Sequence, residues 1–165
     1  DPYRTACESF KEHMTQELNV PVVISNTKEE NCCDKDIVIT ASIANEPLVE
    51  LSWLKKGATV FSIGSYAELA DDVVTKTKLY VDSWAQLSRK GKGDIGPRVE
   101  SGLITENALT AEISDVVAGK KPGRENEEEI ICACMIGMGI LDVGIAGDLY
   151  TNDFANYNEH LMSFR

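Results

Sequence analysis

Short runs of apolar and β-branched residues alternate with helical stretches along most of this chain. Four runs read as strands, at residues 36–41, 58–63, 79–81 and 130–134, and a fifth, over 20–25, begins close to Pro21. Strands that alternate with helices form βαβ units, whose right-handed crossovers join parallel strands and place helices on both faces. The pattern therefore predicts an α/β fold with a mostly parallel sheet.

Apolar residues at helical spacing and capping residues predict the intervening helices. Phe10, Met14 and Leu18 share one face of the first helix, which Asn19 is expected to end. Thr27 followed by Glu30 is a capping-box pattern and opens a short second helix. The predicted helices cover residues 2–18, 27–33, 69–76, 105–118 and 135–150, with a single helical turn in 48–54. The glycine-rich, basic segment 88–98 is predicted to be a mobile surface loop, with a phosphate-binding site as the alternative.

Charge excludes several classes of partner. The 165 residues include 27 acidic and 16 basic side chains, a formal net charge of −11. Nucleic-acid and anionic-membrane binders need clustered Lys and Arg, so neither partner is expected. No apolar run is long enough to span a bilayer.

The cysteines indicate buried thiols in a reducing compartment. There are five of them, a poor number for a disulfide framework, and none forms a C-x-x-C pair. The only two histidines, His13 and His160, lie in polar segments away from the cysteines. We therefore expect no metal site and a cytoplasmic protein.

Small and hydroxyl residues recur where the predicted strands end, as in Thr40-Ala41-Ser42, Gly64-Ser65 and Met135-Ile136-Gly137. Ligands of open parallel sheets bind beyond these carboxyl ends, and small residues allow a flat ligand to approach. The same residues also make turns, so this pattern alone leaves both explanations open. Asp82, Asp142 and Glu68 are the acids nearest to the strand ends. Asp142 could orient a cofactor or a substrate amine, or equally cap a loop.

Six motifs in order carry a resemblance to a known family. They are Asp36-Ile37-Val38-Ile39-Thr40-Ala41-Ser42, Trp53-Leu54-Lys55-Lys56-Gly57-Ala58, Ile63-Gly64-Ser65, Tyr80-Val81-Asp82-Ser83, Gly119-Lys120-Lys121-Pro122-Gly123-Arg124, and Met135-Ile136-Gly137-Met138-Gly139 with Asp142. Together they resemble the nucleotide-binding half of the ornithine cyclodeaminase/mu-crystallin family over about residues 1–150.

The resemblance implies a Rossmann-like domain that binds NAD or NADP. It implies that Thr40, Ala41 and Ser42 lie along the cofactor and that Ile63, Gly64 and Ser65 lie near its nicotinamide side. Met135 and Gly137 would flank the nicotinamide, and Asp142 is the candidate catalytic residue.

The family's first βαβ unit, with its Gly-rich turn, and its substrate domain with a catalytic Lys are expected before Asp1. We therefore expect the chain to be the C-terminal half of an enzyme about twice as long. Residues 1–150 would be a partial dinucleotide-binding domain and 151–165 a C-terminal tail. Ornithine cyclodeaminases carry an Asp two residues after the Gly that corresponds to Gly64. The segment 65–69 lacks it, which favours the branch with siderophore-pathway amino-acid dehydrogenases.

The expected function is hydride transfer between nicotinamide and the α-carbon of an amino acid or its imine. The alternatives are a non-catalytic NADPH-dependent binding protein of the mu-crystallin type and ornithine cyclodeaminase itself. The resemblance implies a small-molecule substrate and a homodimer for the full-length protein.

Overall fold

The computed structural model describes residues 3–152 except positions 45, 65, 90 and 92. Its sheet has five strands, all parallel, in the order β1-β2-β5-β3-β4. The last of these strands in the chain, β5, therefore lies at the centre, between β2 and β3. The strands are β1 (Ile37–Thr40), β2 (Thr59–Ser62), β3 (Lys78–Val81), β4 (Leu109–Glu112) and β5 (Ile131–Cys134).

Helices and short 3-10 turns connect the strands. Thr27 accepts a hydrogen bond from the Glu30 amide at 3.0 Å, so the predicted cap is present. Asn19 ends the first helix in the left-handed conformation, as predicted. The helices are α1 (Arg4–Leu18), α2 (Lys28–Cys32), α3 (Asp71–Thr75), α4 (Trp84–Leu87), α5 (Gly96–Glu100), α6 (Ile113–Val117) and α7 (Gly139–Asn152), with 3-10 turns at Leu51–Trp53 and Glu106–Ala108.

The two faces of the sheet are covered unequally. Alternate strand residues, among them Val60, Leu79 and Cys132, pack with residues of α2 to α5 in the main core. On the other face, Tyr80, Ala111 and Ala133 form a smaller cluster with residues of α6. The α/β architecture with a parallel sheet and helices on both faces is confirmed.

The helix predicted over 105–118 is wrong. These residues form the 3-10 turn Glu106–Ala108, then β4, then α6. β4 is an edge strand that pairs only with β3. Its sequence, Leu-Thr-Ala-Glu, has no continuous apolar run, and pairing with β3 decides its conformation against its local preference.

Two other segments also differ from the prediction. Residues 20–25 belong to no strand of the described sheet. The second half of segment 88–98 is not a mobile surface loop, because Asp94, Ile95 and Arg98 are buried and α5 begins at Gly96. Asp94 and Arg98 form an ion pair within the segment, and the Ser62 hydroxyl of β2 donates a hydrogen bond to Asp94 that holds the segment against the sheet.

The long helix predicted from Met135 begins only at Gly139. Residues 135–138, the turn after β5, have no regular secondary structure, and Gly137 has a φ of +81° that a side chain would strain. A Cβ added to any glycine of α7 would meet no atom within 4 Å beyond the backbone of the helix itself. None of the described helices is long and apolar enough to cross a membrane.

Candidate functional site at the carboxyl edge of the sheet

Three of the sequence-predicted segments meet at one edge of the sheet. Thr40, Ser62 and Cys134 end β1, β2 and β5 in matched register. The ladder continues one step further. The Ile63 amide donates a hydrogen bond to the Thr40 carbonyl at 3.0 Å, and the Met135 amide donates one to the Ser62 carbonyl at 2.8 Å. The structure therefore brings the segments after β1, β2 and β5 side by side.

Most of the predicted cofactor residues lie along this edge. Thr40 is buried in the last position of β1, and Ala41 is exposed just after it. Ser42 accepts a hydrogen bond from the Ala44 amide at 3.0 Å through its hydroxyl, which shapes the turn after β1. Ile63 and Gly137 are exposed, whereas Gly64 and Met135 are half-buried. Ser65 lies outside the described residues.

Glu68 is a fully buried carboxylate that holds two of these strand ends. Its Oε1 accepts a hydrogen bond from the Ser42 amide at 2.5 Å. A Cβ on Gly64 would lie 2.6 Å from Oε2, so the carboxylate packs directly against the Gly64 backbone. Oε2 has no hydrogen-bond partner within the described part of the chain. Gly64 is thus required by the protein's own packing, a reason that the sequence did not reveal.

A second buried acid, Asp94, lies beneath β2. Its Oδ2 accepts from the Ser62 hydroxyl at 2.6 Å, and its Oδ1 accepts from the Leu69 amide at 2.9 Å. Burial raises the pKa of Asp94, and the hydrogen bonds from Ser62 and Leu69 oppose part of that rise. Arg98 contacts the same carboxylate at 3.3 Å and donates to the Leu69 carbonyl at 2.5 Å.

Sequence reasoning missed Ser62, Asp94 and Arg98 as parts of this edge. Asp94 stands in a glycine-rich basic segment that has the composition of a solvated loop. The signal that could have identified it is the pair Asp94-Ile95, one acid and one large apolar residue among glycines and bases. An apolar residue in such a segment indicates that part of it is buried.

Asp82 directly follows β3, and its carboxylate accepts three backbone hydrogen bonds. Its Oδ1 accepts from the Ser83 amide at 2.8 Å. Its Oδ2 accepts from the amides of Ile136 and Gly137, at 2.8 and 2.7 Å. The turn after β5 is therefore tied to the end of the neighbouring strand β3.

Asp142, the candidate catalytic residue, belongs to the helix that follows β5. It lies in the first turn of α7, and its side chain is exposed. Its carboxylate forms no hydrogen bond or ion pair with the other predicted site residues that the structure describes.

The cysteines are not arranged as a metal site. Cys132 and Cys134 are buried neighbours on β5 with 3.8 Å between their sulfurs, and Cys32 is buried in α2. Among the described residues, no group of three or more His, Cys, Asp or Glu could hold a metal ion.

The fold and this edge define a class: α/β domains with a parallel sheet, in which ligands generally bind beyond the carboxyl ends of the strands. The chain belongs to the ornithine cyclodeaminase/mu-crystallin family, whose model matches residues 3–155. The family resemblance seen in the six motifs is thereby confirmed.

Similar proteins share the family and differ in the reactions that their names describe. N-((2S)-2-amino-2-carboxyethyl)-L-glutamate dehydrogenase of Staphylococcus aureus is 32% identical over 152 residues, which are 91% of this chain and 45% of the relative. The chain is also similar to Delta(1)-pyrroline-2-carboxylate reductase of Bacillus thuringiensis, at 27% identity over 86% of this chain and 45% of the relative. It therefore spans about half the length of the curated relatives that it matches.

Solved structures have the same fold. The structure of Thermococcus litoralis Delta(1)-pyrroline-2-carboxylate reductase, in complex with NADH and L-proline, matches with a TM-score of 0.86 and 31% identity over 94% of this chain and 49% of that one. An archaeal alanine dehydrogenase dimer with bound NAD matches with a TM-score of 0.81 and 28% identity over 92% of this chain and 47% of that one.

Proposed function

We propose that this chain is the nucleotide-binding part of an NAD(P)-dependent oxidoreductase that acts at the carbon–nitrogen bond of an amino acid or its imine. The observation that carries the proposal is the edge where β1, β2 and β5 end. It occurs in a fold that matches an NADH complex with a TM-score of 0.86. Residues 1–150 would form a partial dinucleotide-binding domain, followed by a tail at 151–165.

The edge fits the nicotinamide end of such a cofactor. A Cβ on Gly137 would meet no atom within 4 Å, so the turn after β5 has open space beside it. Ala41 and Ile63 are exposed at the two neighbouring strand ends. A flat ring can approach small or exposed residues of this kind at van der Waals distance. The Gly-x-Gly-x-x-Gly spacing from Gly91 to Gly96 lies between α4 and the start of α5 and does not follow a strand, as a dinucleotide-binding turn would, so the proposal for this chain concerns the strand-end contacts.

The predicted residues then take the following roles. Thr40, Ala41 and Ser42 would line the cofactor, with Ile63, Gly64 and Ser65 near its nicotinamide side, and Met135 and Gly137 would flank the nicotinamide. When bound, the cofactor supplies the carbon that exchanges hydride with the substrate, and the protein supplies orientation and electrostatics. Asp142 is our candidate for orienting the substrate.

Ala41 offers a direct test of cofactor binding at this edge. Ala41→Leu adds bulk at an exposed position, so it should leave folding intact and obstruct the approach of the ring. The matched control is Ala118→Leu, at an exposed alanine just after α6. We expect the Kd for NADH or NADPH, measured by fluorescence titration of the whole protein, to rise about tenfold in Ala41→Leu, equivalent to about 1.4 kcal/mol, and to be unchanged in the control. Equal affinities in both variants would contradict the assigned edge.

Turnover separates the enzyme from the alternative function. When a cyclic imino acid is supplied, an imine reductase should oxidise NAD(P)H. The loss of NAD(P)H absorbance in the near ultraviolet measures this reaction. Asp142→Asn should then lower kcat and leave the Kd for NADH unchanged. Cofactor binding without turnover on any imine or amino acid would instead favour a non-catalytic binding protein of the mu-crystallin type. Cyclisation of ornithine would indicate ornithine cyclodeaminase.

We further propose that the whole protein is a homodimer, that it is located in the cytoplasm and that it acts in amino-acid metabolism. The dimer is supported by the archaeal alanine dehydrogenase dimer to which this chain is similar. The location is supported by the buried thiols Cys32, Cys132 and Cys134, because a reducing compartment preserves thiols. Light scattering of the whole protein tests the first point, and fractionation of the source cells tests the second.

A further inference from the structure

We infer that Asp82 is a positioning residue, which fixes the backbone of the turn after β5 for the nicotinamide end of the cofactor. This inference rests on the proposed function. The geometry that carries it is one carboxylate, 3% exposed, that accepts hydrogen bonds from two consecutive amides of that turn.

The carboxylate is well matched to its donors. Oδ2 receives the Ile136 and Gly137 amides at 2.8 and 2.7 Å, and Oδ1 receives the Ser83 amide at 2.8 Å. Hydrogen bonds from backbone amides to a charged acceptor are roughly twice as strong as those between neutral groups. An amide side chain of the same shape would replace one accepting oxygen with a donating nitrogen. Only an ionised carboxylate satisfies all three donors in this arrangement.

The conformation of this turn depends on the hydrogen bonds to Asp82, because the sequence of the turn does not restrict its conformation. Residues 137 and 139 are both glycine, and glycine loses more conformational freedom on ordering than any other residue. Gly137 has a φ of +81°, and a Cβ built on it would meet no atom within 4 Å. Fixing such a residue in one conformation costs conformational entropy. The bonds to Asp82 offset this cost before a ligand arrives.

The hydrogen bonds to Asp82 are not needed to hold β3 and β5 together. β3 and β5 are already joined along their full length by a ladder that pairs Val81 with Cys134 at its last step. The bonds from Asp82 begin two residues later, where the chain has left the ladder. Their effect is therefore on the conformation of the turn, which the proposed function places beside the nicotinamide.

Asp82→Asn tests the inference, with Glu112→Gln as its matched control. Glu112 ends the edge strand β4 and accepts a hydrogen bond from the Trp84 amide at 2.8 Å, so it has the same chemistry away from β5. The two ligands are NADH and ADP-ribose, which lacks the nicotinamide. In the whole protein we expect Asp82→Asn to weaken NADH binding about tenfold and ADP-ribose binding less than about twofold, a selective change of about 1 kcal/mol. Glu112→Gln should leave both affinities unchanged.

A second variant guards against misfolding of Asp82→Asn. Gly137→Ala strains the same turn through its positive φ and introduces no close contact, since nothing lies within 4 Å of the new Cβ. It should reproduce the selective loss of NADH affinity. In ¹H–¹⁵N spectra, the amide protons of residues 136 and 137 should move upfield in Asp82→Asn, because the charged acceptor is lost.

The outcomes distinguish this inference from the proposed function. If the wild-type protein binds neither NADH nor NADPH, the proposed function fails and the inference fails with it. If the wild type binds NADH and Asp82→Asn weakens NADH and ADP-ribose equally, or neither, then Asp82 has only a structural role and the inference alone is overturned. Unshifted amide protons at residues 136 and 137 would also overturn it.

Discussion

At the scale of single residues, Gly64 shows that a glycine after a strand can have a reason other than the approach of a ligand. Its place after β2 suggested that a glycine allows a ligand to come close. In the structure, the space beside its Cα is filled by the Glu68 carboxylate. A larger residue at position 64 would therefore disturb the protein's own packing, and loss of cofactor binding in such a variant would not by itself locate the cofactor.

Gly64→Ala should destabilise the protein. The new Cβ would lie 2.6 Å from Oε2 of a fully buried glutamate, and overpacking of this kind costs about 1–3 kcal/mol. Gly144→Ala is the control, because Gly144 lies within α7 with nothing in contact distance. The control should be neutral or stabilising by up to about 1 kcal/mol. Urea unfolding of both variants makes the measurement, and equal stability would refute the assigned contact.

The thiols of β5 should be unreactive in the folded protein. The adjacent Cys132 thiol and burial together raise the pKa of Cys134 well above the ordinary value for a thiol. Thiolate is the reactive form, so both burial and the raised pKa slow alkylation. We expect iodoacetamide to modify the half-buried Cys7 and Cys33 first, and Cys132 and Cys134 only after unfolding. Peptide mass spectrometry would detect the order, and early labelling of Cys134 would contradict it.

At the scale of elements, continuous apolar runs were the most reliable guide. β1, β2, β3 and β5 lie where such runs predicted strands. β2, β3 and β5 are the central strands, which a parallel sheet buries on both faces, whereas β1 lies at the edge of the described sheet and has a continuous apolar run although Ile37 and Ile39 are exposed. β4 was missed because an edge strand is defined by its partner β3 and its own sequence has little apolar character. The candidate edge was predicted from the same apolar runs, because it consists of the residues at their carboxyl ends. Asp94 and Arg98 were missed, because only the folded chain brings their segment under β2.

Replacement of Arg98 should destabilise the protein more than replacement of any other charged side chain of α5. It contacts the buried Asp94 at 3.3 Å and the exposed Asp71 at 2.8 Å. Arg98→Met leaves Asp94 buried without its cation, which costs about 3–5 kcal/mol when one partner of a buried pair is removed. Asp71→Asn breaks only the exposed contact and should cost less than about 1 kcal/mol. Thermal and urea unfolding compare the two, and similar losses would show that the buried contact is unimportant.

Asp94 also predicts a pH dependence of stability. Burial raises its pKa in the folded state, so the folded protein binds this proton more tightly than the unfolded chain. The contribution of Asp94 to the free energy of unfolding is therefore greatest at acid pH. It falls as the pH rises from the ordinary carboxyl pKa, about 4, to the higher pKa of the folded state.

Asp94→Asn removes this titration while keeping the size of the side chain. The free energy of unfolding of the wild type minus that of Asp94→Asn should decrease as the pH rises through that interval and become constant above it. Urea titrations at pH values from about 4 to about 8 would measure the difference. A difference that grows with pH would mean that Arg98 and the hydrogen bonds outweigh burial.

At the scale of the whole molecule, the described chain exposes apolar residues at both ends of its length. α1 has no buried residue, and α7 exposes Leu141, Ile145 and Leu149 at helical spacing. β1 exposes Ile37 and Ile39 on one face of the sheet. Contiguous apolar surface of this kind promotes association in water.

The 165-residue chain on its own should therefore associate at micromolar concentration and bind a hydrophobic dye such as ANS. Leu141→Gln combined with Ile145→Gln should reduce both effects, because these residues share one face of α7. Val117→Gln is the control, since Val117 lies on α6 and is the most exposed large apolar side chain among the described residues. Sedimentation velocity at several concentrations checks the association. A monomeric chain without dye binding would contradict the prediction.

The central position of β5 also sets the order in which this sheet can be completed. β1 pairs with β2 and β3 pairs with β4, but β2 and β3 are joined only through β5. As the chain emerges from a ribosome, the first four of these strands can form no more than two separate ribbons, each with two strands. Such ribbons are marginally stable alone in water. Cooperative folding of the described sheet therefore waits for residues 131–134, and a chain cut shortly before them keeps its other four strands but has no single sheet.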